Sequence, residues 1–291
     1  MARTTQPVSS DYDFQVVMED LMTADGKKSG FKCTRRLDTG EVLSPVTKDY
    51  GIVQNADCID KVRETFSTRP DLGNYEETVS VLNGGRQMRA RYDFKNHTIE
   101  VPKVGDELGL RLTVNNSFDR SLRVSFSLGM LRLVCSNGMT SVQEEYGLTR
   151  KHSAKFDISF IQDALGKALD GFTAFGKEGN ILTKMAETYV TQEQGLAILQ
   201  SLTKKNVISE VSREGIAQVW NNPREEDKER NIYNLLNAST DFITHQLEGD
   251  KYQLAERTTA NVTRWMEKAT KRRNVLETLW TPPKSELELL S

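Results

Sequence analysis

The sequence predicts an α+β fold: an antiparallel β-meander packed by a long helix, followed by a helical C-terminal region. Strand-like alternation concentrates in the first half of the 291 residues and helical periodicity in the second; this segregation argues against alternating βαβ units. From Glu107 to Asn115, and again from Leu122 to Leu128, apolar residues recur at every second position, the period of a half-buried strand. From about residue 183 they recur at helical spacing instead, interrupted by Pro223 and stopped by Pro282-Pro283.

Taken in order, residues 11–50 are mixed, with a turn at Asp38-Thr39-Gly40. Asn55 to Phe66 reads as a helix capped by Asn55, with Ile59, Val62 and Phe66 on one side. Glu76 to Leu82 runs into Asn83-Gly84-Gly85, a hairpin turn, and Arg86 to Phe94 returns before a second turn at Lys95-Asn96. In the next strand Leu108, Leu110, Leu112 and Val114 alternate with Glu107, Arg111, Thr113 and Asn115. Past a turn at Ser117 to Arg120, Val124, Phe126 and Leu128 do the same, so the meander has one apolar and one polar face. Phe156, Phe160, Leu165, Leu169 and Phe172 suit a helix laid over the apolar face. Gly176 and Gly179 mark a hinge. Helices then end near Asn206 and Pro223, and two longer ones run from Glu225 to about Leu247 and from Tyr252 to about Leu279. The expected division is an N-terminal arm and extension (1–45), a sheet-plus-helix core (46–175) and the helical C-terminal region (176–291).

Composition narrows the function classes. The formal net charge is −2, which neither demands nor excludes a nucleic-acid partner, since binding follows the distribution of charge. Three scattered cysteines, Cys33, Cys58 and Cys135, form no disulfide framework and fit a reducing, cytoplasmic setting. No apolar run approaches the roughly 20 residues that span a bilayer, so no membrane partner is expected. His97, His152 and His245 are far apart and make no metal spacing with a cysteine. No metal, no cofactor and no catalytic residue is expected, although a hydrolase site assembled only in the fold would be invisible at this level. Gly171 to Lys177 imitates the start of a phosphate-binding loop, but Glu178 stands where the magnesium-ligating hydroxyl belongs.

Three passages carry a family resemblance. They are Tyr50-Gly51-Ile52-Val53-Gln54-Asn55; the hairpin at Gly84-Gly85-Arg86; and Asn115-Asn116-Ser117 with Asp119, continuing through Arg132-Leu133-Val134-Cys135-Ser136-Asn137-Gly138-Met139 to Arg150-Lys151-His152. In this order they resemble the phage/plasmid-like family known as domain of unknown function 932, over roughly residues 45 to 245. The chain departs from the family pattern at Asp119-Arg120, where Asp-Gly is frequent, and at His152-Ser153, where His-Thr is. The resemblance implies a phage, prophage or plasmid origin and no assigned chemistry. By architecture only, a hairpin and further strands backed by a long helix are similar to the core of the RecT, Red-beta and Rad-type annealing superfamily.

The candidate nucleic-acid contacts are basic. Arg89, Arg91, Arg111 and Arg123 fall on the polar parity of the meander, and arginine pairs with phosphates and stacks on bases. Arg132 joins them if Gly129 makes a bulge. Arg150, Lys151 and Lys155 form a second basic cluster before a helix start. On the last helix, Lys268, Lys271, Arg272 and Arg273 flank Trp265, a pattern that suits nucleic acid but is more often a solvated face with the tryptophan in the core. The expectation is therefore a single-stranded DNA binding and annealing protein for recombination or replication, forming a homo-oligomeric ring or filament, with a phage or host recombination or replication protein as a further partner. The alternative is a phage protein that binds a host protein, for example in anti-defence, through its helical region.

Overall fold

The computed structural model describes residues 10–101, 105–132, 138–139, 148–152, 165–166, 170, 181–246, 252–272 and 276. It is α+β, with two antiparallel sheets and a helical C-terminal region. The chain divides into two compact units. Unit one comprises residues 1–98, 109–129 and 142–175; unit two comprises 99–108, 130–141 and 176–291.

Unit one opens with a three-stranded sheet of β1 (Val16–Met22), β2 (Lys28–Arg36) and β3 (Val42–Val46). The stretch expected as an arm and extension is thus a sheet. Its inner side packs Phe14, Val16 and Leu43 on Phe118, with Ile52 and Val81 at the margin. The side-chain amide of Gln54 holds β1 from the side away from β2. Its Nε2 donates to the Val16 carbonyl (2.8 Å), and its Oε1 accepts from the Val16 N–H (3.1 Å).

Helix α1 (Asn55–Ser67) follows, with Cys58, Ile59, Val62 and Phe66 buried on one stripe. Asn55 is not its cap: Gln54 occupies that position without a side-chain bond, and Asn55 is fully buried inside the first turn. The second sheet has the order β4 (Glu76–Leu82), β5 (Gln87–Val101), β6 (Asp106–Ser117), β7 (Val124–Arg132), β8 (Gly138–Met139), with β9 (Leu148–Arg150) also pairing with β7. The β4–β5 hairpin turns where expected, with Asn83, Gly84 and Gly85 all at positive φ. The second turn does not exist, because β5 runs straight through Lys95-Asn96.

Met88, Ala90, Tyr92, Phe94, Leu110, Leu112 and Val114 are each 0% exposed, so the apolar parity faces the core as the alternation requires. Phe66 of α1 meets Tyr92 and Phe94 edge-on, at ring separations of 5.3 and 5.0 Å. On the opposite parity of β6 only Glu107, near the start of the strand, is exposed; Arg111, Thr113 and Asn115 are buried as well. Of the helix expected over residues 156–172, only 165–166 and 170 are described; they are helical, with Leu165 0% exposed, while the phosphate-loop imitation and the hinge glycines lie outside the described residues.

Unit two is built on α2 (Ile181–Ala186), α3 (Gln192–Lys204), α4 (Glu210–Asn221), α5 (Ile232–Gln246) and α6 (Tyr252–Lys271). Thr191 closes a capping box on α3, and Ser209 caps α4. The helix expected from Glu225 starts later: a short 3-10 turn at Glu225–Asp227 precedes α5, which packs on α2, α4, α6 and β8. Two glycines set the helix approach. A Cβ on Gly195 would collide with the Trp220 indole, and one on Gly215 would fall within the Phe242 ring.

Gly215→Ala is expected to destabilise the protein by about 1–3 kcal/mol, as overpacking does, despite the better helix propensity of alanine. Urea unfolding would show it as a lower midpoint. An unchanged midpoint would mean that α4 and α5 are not this close.

Candidate nucleic-acid interface

The arginines separate by what they touch. Arg111 reaches across to β5 and holds Asp93 in a two-pronged bond, Nε to Oδ1 at 2.6 Å and Nη2 to Oδ2 at 2.7 Å. Its side chain is only 11% exposed. Its charge is neutralised and out of reach, so it leaves the basic track. Arg132 is a stronger correction. It is 1% exposed and lies wholly within unit two. Nε and Nη2 bond both Asp106 oxygens (2.7 and 2.9 Å), Nη1 reaches Asp227 at 2.8 Å, and the Tyr233 hydroxyl donates to Asp106 at 2.9 Å. Burial disfavours the guanidinium charge, but the bonds from Asp227 and Asp106 outweigh it and raise its pKa.

Arg89 and Arg91 are half-buried on β5, opposite Ser80 and Thr78 of β4. Arg123 is exposed just before β7. The β7–β9 ladder pairs Val124 with Arg150, and one step beyond that pair the two chains present Arg123 and Lys151, both exposed. Arg120, in the preceding turn with φ 64°, is exposed too. The Arg150 side chain and all of Lys155 lie outside the described residues, as does Cys135.

Of the residues that carry the family resemblance, Arg132 lies in unit two, while Tyr50, Val53, Asn55, Asn116, Ser117 and His152 meet in unit one as a joint rather than a surface. The Asn116 amide donates to the Val53 carbonyl and to the Asn55 Oδ1, both at 2.8 Å. The Tyr50 hydroxyl donates to the Ser117 carbonyl at 2.8 Å. Ser117 Oγ bonds Leu122 on both its N–H and its carbonyl, closing the turn, and the Phe118 N–H donates to the Arg86 carbonyl of the hairpin. His152 stacks on Tyr50 with ring centroids 5.0 Å apart, and its Nδ1 lies 3.2 Å from the Gly51 carbonyl. A carbonyl only accepts, so Nδ1 carries the proton. Burial holds the His152 pKa below its usual value, against the raising effects of the Gly51 bond and of Asp119.

The family described as Domain of unknown function (DUF932) matches residues 42–281. The chain belongs to that family. No curated protein and no solved structure matches it. Within the matched span, Tyr50, Asn55, Asn116, Ser117 and His152 act as the internal fastening of unit one. Among the described residues no group of three or more His, Cys, Asp or Glu is placed to hold a metal, and no helix is long and apolar enough to cross a membrane.

One surface in unit two was undervalued by sequence reasoning. Trp265 is half-buried rather than in the core, and the exposed Lys205 lies over its ring at 5.4 Å. The periodicity of α6 could not supply this, because Lys205 comes from a different helix end.

Two outcomes follow. Arg132→Ala strands Asp106 and Asp227 without their counter-charge and is expected to destabilise by about 3–5 kcal/mol, whereas Arg123→Ala should stay within about 0.5 kcal/mol; chemical denaturation of both variants checks the contrast. His152 has a folded pKa below its unfolded one, so its contribution to stability is complete above about pH 6.5 and is lost as pH falls below that. The urea midpoint should therefore drop between pH 7.5 and 5.5, and drop less in His152→Phe, which keeps the stack and removes the titration.

Proposed function

We propose that this DUF932 chain binds single-stranded DNA and anneals complementary strands without a cofactor, in recombination or replication of a phage or mobile element. One observation carries the reading. Arg63, Arg111 and Arg132 are each bonded to a buried or half-buried carboxylate, whereas Arg123 and Lys151 stand exposed beside each other with no ion pair among the described residues. Cations left unneutralised at adjacent positions suit a string of phosphates. Annealing asks for no bond-breaking residue; it asks for a track that holds a strand loosely while register is sampled. Weak contacts of this kind gain avidity from several copies, and the open edge of β4 offers a strand for pairing between copies.

The second reading, a protein that docks on a host protein, is favoured by a different observation. The three-stranded sheet and its turns expose Met22, Phe31, Leu37 and Val42 at 53, 55, 52 and 48%, and exposed apolar side chains clustered on one element suit protein contact.

Affinity for a single-stranded oligonucleotide should fall with salt, at about −0.7 in log-log slope per neutralised phosphate. Arg123→Ala with Lys151→Ala should flatten the slope by about 1.4, if each cation neutralises one phosphate. An unchanged slope in a folded double variant removes the DNA reading from this surface. Phe31→Ser, which leaves these cations in place, should leave the slope unchanged; a lost slope there would draw the small sheet into DNA binding and count against its use as a protein-docking surface.

A further inference from the structure

We infer that Trp265 of unit two is a stacking platform for the bases of a single strand, flanked by cations that hold the phosphates on either side. The inference rests on the single-strand reading above and assigns to unit two the part of it that phosphate contacts cannot supply.

The contrast with Trp220 is instructive. Trp220 is 1% exposed, its indole N–H donates to the Gln192 carbonyl, Gly195 gives it room, and Arg230 caps it at 4.4 Å. Everything about it is structural. Trp265 is half-buried, and its indole makes no hydrogen bond among the described residues. The side chain lying over its ring belongs to Lys205, itself exposed, so this ring face borders solvent. At 5.4 Å the ammonium sits near the outer limit of a cation–π contact, and such a contact at an exposed site is weak. A flat, polarisable ligand can displace it, and the freed lysine then has a phosphate to meet.

The surroundings supply the remaining charge. Arg264, Lys268 and Arg272 follow one another at i, i+4 and i+8, all exposed, on or just beyond α6, and Lys204 stands exposed beside Lys205 at the end of α3. An aromatic face bordered by cations fits an anionic polymer with planar groups. An acidic protein or a lipid surface would use the cations but has no need of the ring.

The full-length protein is titrated with a fluorescent single-stranded oligonucleotide, with an abasic strand of equal length, and with the corresponding duplex. The expected result is that wild type binds the natural strand roughly 5- to 150-fold more tightly than the abasic one, the range of one stacked base. Trp265→Leu, which keeps apolar volume, should erase that preference while leaving abasic affinity unchanged. Lys268→Ala should weaken both strands equally. Wild type that treats natural and abasic strands alike, or prefers the duplex, overturns the inference. So does a folded Trp265→Leu variant that retains the preference. The Arg123 and Lys151 double variant should keep the natural-over-abasic ratio. If wild type binds no strand at all, the single-strand function itself fails, which is distinct from binding without base discrimination.

Discussion

A guanidinium in a dry interior has to be answered by carboxylate, and unit two is arranged around that requirement. Arg132 ends β7; Asp106 begins β6; Asp227 lies in the turn before α5; Tyr233 is in the first turn of that helix. Three stretches distant in sequence, around residues 106, 132 and 227–233, are fixed because one cation cannot be left unpaired. The polar content of α5 follows from the same demand. Asn237 donates to Asp227 at 3.2 Å, and Asn234 accepts from Asn237 at 3.3 Å. A helix buried along Asn231 to Thr240 would ordinarily be apolar all round; this one carries asparagines where it borders the ionic cluster.

Unit one has its own ion pairs, Arg111 on Asp93 and Arg63 on Glu77, and adds a set of neutral bonds. Asn116, Tyr50 and Ser117 satisfy backbone carbonyls of loops that no ladder reaches, and buried carbonyls without partners are rare because they are expensive. Such residues mark what the fold must satisfy internally, and for that reason say little about what the protein binds.

The alternation at Leu108, Leu110, Leu112 and Val114 was legible because a strand has two sides and a strict period. Parity told which residues leave the core face but not what meets them there. Arg111 therefore looked solvent-facing until Asp93 was placed opposite it. Arg132 was harder still, since its two carboxylate partners are 26 and 95 residues away. Asn55 looked like a cap because caps are local and its real partner, Asn116, is not. Lys95-Asn96 carried turn residues, yet the strand continued, as tertiary pairing overrides a weak local preference. At Trp265 the flanking cations were legible and the exposure of the ring was not.

The Gln54 amide on Val16 has a consequence for assembly. An antiparallel neighbour would offer β1 one N–H and one carbonyl at this position, and Gln54 presents the same pair from a side chain. The outer rim of the small sheet is thereby occupied at its first residue by a counterfeit strand one residue long. A second copy approaching that rim finds the first rung already taken and cannot zip from its end. Strand addition is thereby steered away from the start of β1, and on the opposite strand of the small sheet the Leu43 carbonyl of β3 is likewise taken by a side chain, the Arg86 Nε at 2.9 Å, so both outer strands carry a plug borrowed from elsewhere in the chain.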